Sequence, residues 1–381
     1  MRLSILLLRV LFFWLALSSL VACGEQKKAD KKITEKLVIS DTTELVEIAK
    51  LIKMPNDLDV PEGMVWVSGG TFMQGAVAHD QMAMGHEKPA HQVIVDGFFM
   101  NIAEVTNSEY RKFVDKTGYV TIAERAIDWE EMKKQLPEGT PKPHDSILQP
   151  GSLTFKKTKS PVPNLYDFSQ WWKWTIGANW KRPNGPRSSI KGKDDHPVVH
   201  IAYADALAYC EWVGKRLPTE AEWELAAHGK KKGKIFFWGD DSSLLRQQAN
   251  TWEGEFPVNN TKVDGFERRA PVKSYLPNDN GLFDMAGNVW EWTSDWYNTD
   301  YYRSVASKKT IVNPKGAITP FNKQDPYAKE KVMKGGSFLC SATYCASYRV
   351  SARMATSLDS SLEHLGFRTV ASVDMVRKNS Y

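Results

Sequence analysis

The sequence predicts a mixed α+β fold, irregular and rich in loops, built as one domain behind a short export and tether region. Short alternating strand patterns recur between turns, and three amphipathic segments with capping residues are typical of helices. The 19 prolines and 25 glycines interrupt any longer element. About 320 residues follow position 60, which suffices for one large domain.

The first 22 residues are predicted to be a lipoprotein signal peptide. A short positive start, Met1-Arg2, precedes an apolar run, and Arg9 within this run disfavours a lasting membrane span. The run ends in LVACG, a pattern typical of a bacterial lipobox. It predicts lipidation of Cys23, which anchors the mature chain to a membrane without spanning it. An ordinary cleaved signal that happens to end at a cysteine is the alternative.

Residues 23–60 are predicted to be a lipid-anchored tether, because they begin lysine-rich and weakly hydrophobic. The domain is predicted to occupy residues 61–375. We expect the protein to lie in the cell envelope and to face the periplasm. The residue after Cys23 is Gly24 rather than the aspartate that retains lipoproteins at the inner membrane, so the outer membrane is favoured. The formal charge is +5, and no stripe of basic residues is interleaved with aromatic residues. Nucleic-acid binding is therefore not predicted.

The predicted elements follow in order. Residues 64–75 read as two strands around a glycine turn, and residues 93–100 as another strand. His79, His86 and His91 lie in the intervening loop, which is expected to be an exposed loop rather than a metal site because their spacing matches no compact zinc pattern. A capping box at residues 106–109 starts a helix that ends at Gly118.

Residues 119–195 are expected to be irregular, with an aromatic cluster at 171–174 that either lines a groove for an extended peptide or packs as an ordinary loop. The next helix, residues 203–213, carries Cys210 on one face with Leu207 and Val213, so its thiol is expected to be buried and inert. A second capping box at residues 219–222 starts a helix that ends at Gly229.

Cys340 and Cys345 are the candidate chemical centre, and Gly335-Gly336-Ser337 precedes them. An extended chain would separate the two sulfurs by roughly 16 Å, and a helix would place them on different faces. A reversal at residues 341–344 between two short strands would bring them together. The pair would then form either a local disulfide or a two-thiolate site for a soft metal such as Cu(I) or Zn(II).

This stretch resembles the C-terminal segment of the formylglycine-generating enzymes, the sulfatase-modifying factors. The shared pattern runs from GGS through Cys340 and Tyr344-Cys345 to an LGFR block at residues 365–368. Other matching positions are Arg349, Arg353, the DSS at 359–361, the WW at 171–172, the GANW at 177–180, the DHPV at 195–198 and the KRLPTEAEWE at 215–224. The resemblance covers roughly residues 62–372 and implies the family's C-type-lectin-like fold.

The resemblance implies a copper- and O₂-dependent oxidase that converts the cysteine of a sulfatase Cys-X-Pro-X-Arg motif to Cα-formylglycine. Cys340 and Cys345 would hold Cu(I), while O₂ would serve as co-substrate. Ser337 and Tyr344 would line the pocket and Trp290 would form its wall. Turn residues that bond to the local backbone remain the alternative for Ser337 and Tyr344.

The resemblance also implies two structural Ca²⁺ ions. The first would be held by Asn250, Thr251, Asp264 and Phe266, and the second by Asp284, Gly287, Val289 and Glu291. Thr251, Phe266, Gly287 and Val289 would contribute backbone carbonyls. Without the resemblance, both segments read as plain loops.

The sequence departs from the family at two places. Ala227, Val350 and Thr369 stand where members from oxidising compartments have disulfide cysteines, so Cys210 has no partner. His364 stands before the LGFR block where a small polar residue is expected. Three interpretations of His364 remain open: a harmless substitution, an extra copper ligand or a change in substrate handling.

Two functions from different classes are predicted by these observations. The first is the sulfatase-activating oxidase, a monomer acting on an unfolded or nascent sulfatase polypeptide. The second is a non-catalytic lipoprotein of the same fold that serves as a structural or interaction module of an envelope complex. The two cysteines in their GGS context favour the enzyme. The iron-dependent sulfoxide synthases of this fold are disfavoured, because their N-terminal His-rich helical domain is missing from the sequence.

Overall fold

The computed structural model describes residues 53–379, except for the side chains of Gln135 and Asn379. The predicted signal peptide, the predicted lipidation site Cys23 and most of the predicted tether lie outside the described residues. Within the described range, no helix is long and apolar enough to cross a membrane.

Four small sheets organise the strands. The strands are β1 (Met64–Val67), β2 (Gly70–Gln74), β3 (His91–Val95), β4 (Phe98–Asn101), β5 (Gly151–Phe155), β6 (Trp172–Ile176), β7 (Trp290–Trp296), β8 (Ile311–Val312), β9 (Glu330–Lys334), β10 (Met354–Ser357), β11 (Leu365–Gly366) and β12 (Val370–Ala371). The strand orders are β1-β4-β12, β2-β3-β8, β10-β9-β7-β11 and β5-β6. β3 with β8 and β7 with β11 are parallel pairs, and the other pairs are antiparallel.

The helices are short and lie between the sheets. They are α1 (Asn107–Thr117), α2 (Trp129–Met132), α3 (Tyr203–Trp212), α4 (Glu220–His228), α5 (Leu245–Gln248), α6 (Tyr301–Val305) and α7 (Val373–Asn379). Single 3₁₀ turns occur at Gly85–Glu87, Ile122–Glu124, Lys133–Gln135, Phe168–Gln170 and Ser242–Leu244. Both predicted capping boxes are confirmed: the Thr106 and Thr219 side chains accept from the third residue of α1 and α4.

Consecutive strands at the start of the domain enter different sheets. β1 pairs with β4 and β2 pairs with β3, so the corner at Gly69 packs against the corner at Gly97. A Cβ at Gly69 would lie 2.5 Å from the Gly97 nitrogen. The close approach therefore requires glycine, and it joins the two sheets at one corner.

The main core lies between the sheets and helices α1, α3 and α4, and every residue of α4 is buried. A second, aromatic cluster lies under the cysteine segment and contains Phe155, Trp171, Trp252, Phe256, Phe338 and Leu339. The predicted α+β class is confirmed by this architecture.

Three predictions about the elements need correction. Residues 151–155 and 172–176 form the β5-β6 pair, because the long intervening loop folds back and lets two strand-forming segments meet. Leu207 is exposed, while Cys210 on the same helix is buried as expected. His91 is buried in β3 and His86 is partly buried, so only His79 of the three is exposed.

We predict that Gly287→Ala destabilises the domain by about 3 kcal/mol or more, because overpacking adds to the cost of a left-handed backbone. Gly287 has φ +73°, and an added Cβ would lie 2.2 Å from the Asn250 carbonyl oxygen. Gly192 has the same φ with no neighbouring atom within 4 Å, so Gly192→Ala is the matched control. It should cost only about 1 kcal/mol. Equal shifts of the two urea-unfolding midpoints would contradict the packing argument.

Candidate active site

The segment after β9 reverses sharply around Ser341. Its carbonyl oxygen accepts from the backbone N–H groups of Tyr344, Cys345 and Ala346 at 3.1, 3.2 and 2.9 Å. The reversal predicted between the two cysteines is therefore present. The prediction of two flanking strands is wrong, because residues 335–353 run through consecutive turns and β10 begins only at Met354.

Gly336 closes the base of this loop. Its φ is +75°, and a Cβ there would lie 2.9 Å from the carbonyl oxygen of Ser347. Only glycine allows the two ends of the loop to approach this closely. The GGS sequence is thus a packing requirement that holds Cys340 and Cys345 within one small loop.

The two cysteines of the loop are free thiols that hydrogen-bond to each other. Cys340 is buried, and Cys345 is partly exposed as a residue although its thiol is enclosed. Burial, together with the neighbouring Cys345 thiol, raises the pKa of Cys340 well above its ordinary value. Burial opposes ionisation of Cys345, but hydrogen bonds from Cys340, Ser347 and Ser341 outweigh it and lower its pKa. The first proton to leave the pair is therefore that of Cys345.

Ser337 contacts the pair through its backbone. Its N–H donates to the Cys340 sulfur at 3.4 Å, and its hydroxyl accepts from the backbone N–H of Leu339 at 3.3 Å. The side chain is thus used in the local turn.

Tyr344 packs against the aromatic cluster, and Trp290 lies in the main core. The Tyr344 ring stacks on Phe256 at 4.6 Å and meets the edge of Trp171 at 5.6 Å. Burial raises the pKa of Tyr344, and the two nearby thiols add to the effect. Trp290 begins β7 in the same buried cluster as Cys340.

Backbone hydrogen bonds attach the cysteine loop to two other segments. Gly287 N–H donates to the Gly335 carbonyl at 2.9 Å, and Phe338 N–H donates to the Asn288 carbonyl at 2.9 Å. Trp252 N–H donates to the carbonyl of Cys340 itself at 3.0 Å. The attached segments are those predicted to bind calcium, so their conformation bears directly on the thiols.

Asn288 is a functional residue that sequence reasoning missed. It is fully buried with φ +54°, and its side chain donates to Glu104 at 3.0 Å. Its side-chain oxygen accepts from the Asn250 amide at 3.2 Å and from the Ala270 N–H at 2.9 Å. The Gly287-Asn288 dipeptide, typical of left-handed backbone, was the signal available in the sequence.

The residues of the first predicted calcium set are held by hydrogen bonds of Asp264 and Asn250. The Asp264 carboxylate accepts from the backbone N–H groups of Thr251 and Phe266 at 3.2 and 3.0 Å. Burial raises its pKa. The amide nitrogen of Asn250 instead donates to the Arg268 carbonyl at 2.9 Å. Asp264 thus lies beside Thr251 and Phe266, and the Asn250 nitrogen, which could not bind a cation, is used elsewhere.

The second predicted calcium set contains an additional carboxyl group, that of Glu104. Glu104 and Asp284 hydrogen-bond to each other while buried, and Oε2 of Glu104 has no hydrogen-bond partner among the described residues. Burial raises the pKa of Glu104 well above its usual range, and the Asp284 charge adds to this. Both oxygens of Glu291 bind Arg368 at 2.6 Å. Gly287 and Val289 lie between Asp284 and Glu291 in the chain, and both are buried.

No group of three or more His, Cys, Asp or Glu side chains is arranged to hold a metal ion anywhere in residues 53–379. A metal at the thiol pair would thus draw no third ligand of these types from the described residues. Any cation at the acidic positions needs backbone carbonyls as well.

Three buried arginines hold the chain around the cysteine loop. Arg349 pairs with Asp80 and Glu87, Arg353 pairs with Glu220, and Arg368 pairs with Glu291. The closest N–O distances are 2.6 Å for Arg349, 2.7 Å for Arg353 and 2.6 Å for Arg368. Removing either member of such a pair would leave an uncompensated buried charge, at a cost of about 3–5 kcal/mol.

His364 lies beside the site as a neutral imidazole. Burial lowers its pKa to about 3, and Nδ1 has no hydrogen-bond partner in the described part of the chain. Its ring is 4.8 Å from that of Trp172, and its carbonyl accepts from the Trp290 N–H at 2.8 Å. The backbone carbonyl of His364 thus holds the first residue of β7 in place, independently of the imidazole ring.

Comparisons with known proteins agree on one family. Residues 51–373 match the model of the sulfatase-modifying factor enzyme 1-like domain. A Bos taurus protein named formylglycine-generating enzyme is 41% identical over 312 residues, which are 82% of this chain and 75% of that protein. A Thermomonospora curvata protein of the same name is 39% identical over 328 residues, 84% of this chain and 99% of the relative.

Two further matches set limits on what similarity alone implies. A Mus musculus protein named inactive C-alpha-formylglycine-generating enzyme 2 is 35% identical over 81% of this chain and 85% of its own length. The solved structure of PvdO from Pseudomonas aeruginosa aligns with a TM-score of 0.55 at 18% identity, covering 84% of this chain and all of that one. This second likeness shows a shared fold.

Proposed function

Because this chain belongs to the sulfatase-modifying factor family, we propose that it is a formylglycine-generating enzyme acting on sulfatases. In this proposal it oxidises the cysteine of a Cys-X-Pro-X-Arg segment to Cα-formylglycine, with copper and O₂. The observation that carries the proposal is the pair of free, hydrogen-bonded thiols at Cys340 and Cys345, closed into one loop by Gly336.

The thiol pair fits Cu(I). Both cysteines are free, they share one loop, and soft thiolates favour this ion over harder metals. Bound copper would supply the redox chemistry that side chains lack for removing hydrogen from a substrate Cβ. Since the described residues offer no third side-chain ligand of these types, a substrate thiolate would bind beside the pair.

The surrounding residues would position the pair and exclude water. The Ser337 N–H orients the Cys340 sulfur, and the Trp252 N–H fixes the Cys340 carbonyl. Tyr344, packed between Phe256 and Trp171, covers one side with an aromatic wall. Loss of the first proton from Cys345 would prepare its thiolate for a metal or a substrate.

We further propose two structural Ca²⁺ ions at the predicted sets. The buried, partnerless oxygen of Glu104 beside Asp284 supports the second site, because a cation would replace the shared proton and neutralise both carboxyls. The Asp264 carboxylate with Thr251 and Phe266 supports the first. Since both loops bond to the cysteine loop, calcium would hold the thiols in place indirectly.

The location and partners are proposed as well. We expect a monomer anchored through a lipid on Cys23, facing the periplasm from the outer membrane, where it meets unfolded or nascent sulfatases. The alternative function, a non-catalytic envelope module, is favoured by one finding: a relative named as inactive matches this chain at 35% identity.

The decisive assay for the enzyme uses a synthetic Cys-X-Pro-X-Arg peptide incubated with copper-loaded protein, O₂ and a reductant. Mass spectrometry should detect an aldehyde product with the wild type. Cys340→Ala and Cys345→Ala should each reduce it to background, because each removes one of the two thiolates. Cys210→Ala is the control variant and should remain active. The Cys210 thiol is buried, and its pKa is raised to about 12. Copper binding without any product from the wild type would favour the non-catalytic module.

Chelation tests the calcium proposal separately. We expect EDTA to lower the Tm of the copper-free protein by about 5 °C or more, because a bound ion stabilises only the folded state. Added Ca²⁺ should restore the Tm, whereas Mg²⁺ should not, since it demands a tighter octahedral shell. The Asp264→Asn variant, which keeps the side-chain shape, should respond less to EDTA. An unchanged Tm of the wild type in EDTA would remove the claim.

A further inference from the structure

A small cavity lies beside Arg268 and Arg269. Its volume is about 30 Å³. It is lined by Asn107, Trp180, Pro183, Ile190, Lys193, His196, Pro197, Val199, Arg268 and Arg269. We propose that this cavity binds a small monoatomic anion, a halide such as chloride.

The charge around the cavity is strongly positive. Lys193, Arg268 and Arg269 all line it, while one buried carboxylate, Glu363, pairs with both arginines. Burial lowers the pKa of Lys193, and the two arginines lower it further. Asp194 is engaged by Arg111 at 2.8 Å, and the nearby Asp195 is exposed. Three cations thus share one buried carboxylate, which leaves positive charge for an anion to neutralise.

Two polar groups of the lining lack partners among the described residues. Trp180 is 1% exposed, and its indole nitrogen has no hydrogen-bond acceptor. Nδ1 of His196 is also buried without a partner. A buried donor left without an acceptor costs about 1–3 kcal/mol, so an unpartnered N–H in a cavity wall points to an occupant.

The chemistry of the wall favours an anion over water. Indole, guanidinium and ammonium groups only donate hydrogen bonds, and the imidazole of His196 is the one unpartnered group here able to accept. A buried water needs about three partners of both kinds, whereas a halide needs donors alone. The volume suits a small ligand such as a halide.

An anion here would also bear on the candidate site. The Arg269 guanidinium lies 5.8 Å over the Phe338 ring, two residues from Cys340, and it donates to the Glu363 carbonyl at 2.7 Å. Glu363 in turn accepts from the Phe155 N–H at 2.8 Å. An anion beside Arg269 would therefore alter the charge that joins the Glu363 segment to the aromatic cluster.

Thermal unfolding of the purified full chain tests the proposal. At fixed Ca²⁺ and matched ionic strength, sodium chloride or bromide should raise the Tm by about 2 °C or more over sodium gluconate, with saturation. A bromide soak should place an anomalous peak in the cavity beside Trp180 and Arg269. Equal Tm values in chloride and gluconate, a larger effect of sulfate, or a bromide peak only elsewhere would each overturn it.

Variants locate the effect. Lys193→Gln removes one lining charge from an exposed side chain and should at least halve the halide shift. Lys181→Gln is the matched control, because Lys181 lies 5.2 Å over the same Trp180 ring outside the cavity lining, and it should keep the full shift. Trp180→Phe, which retains the ring and deletes the donor, should lose most of it. A Lys193→Gln variant that responds like the wild type would contradict the site even if Trp180→Phe fails to fold.

Discussion

The hydrogen bonds of Asn288 are the interaction on which the arrangement of the candidate site depends. This one buried residue bonds through its side chain to Glu104, Asn250 and Ala270, and its backbone carbonyl receives the Phe338 N–H. Its backbone N–H donates to the Asn250 carbonyl at 2.9 Å, which places the two segments predicted to bind calcium side by side. Buried polar groups that are all hydrogen-bonded specify one geometry, because any other geometry would leave several of them without a partner. The cysteine loop takes its position from this junction.

Local signals in the sequence predicted local structure well. The capping boxes at Thr106 and Thr219, the buried Cys210 and the reversal at Ser341 are all present, because each depends on residues a few positions apart. The pairing of β5 with β6 and the burial of His91 could not be predicted, since they depend on segments far away in the chain. Asn288 and Glu104 were missed for the same reason: their partners lie up to 184 positions away. The catalytic role proposed for the cysteines came from the family resemblance, because spacing alone left a disulfide equally open.

The candidate site separates chemistry from support. Two thiols on one loop carry the proposed redox centre, while hydrogen bonds, buried arginines and the proposed calcium ions act on the backbone that presents them. The aromatic cluster under Tyr344 supplies a dry wall without any charge of its own. A fold shared with PvdO at 18% identity does not by itself fix the chemistry, which depends on the site residues that the fold carries.

The most direct test of this account is X-ray absorption at the copper edge on Cu(I)-loaded protein, because it measures the ligands independently of turnover. The account predicts two sulfur neighbours per copper in the absence of substrate peptide, one in each of Cys340→Ser and Cys345→Ser, and two in Cys210→Ser. Copper surrounded only by nitrogen and oxygen, or a sulfur count unchanged in Cys340→Ser, would contradict it.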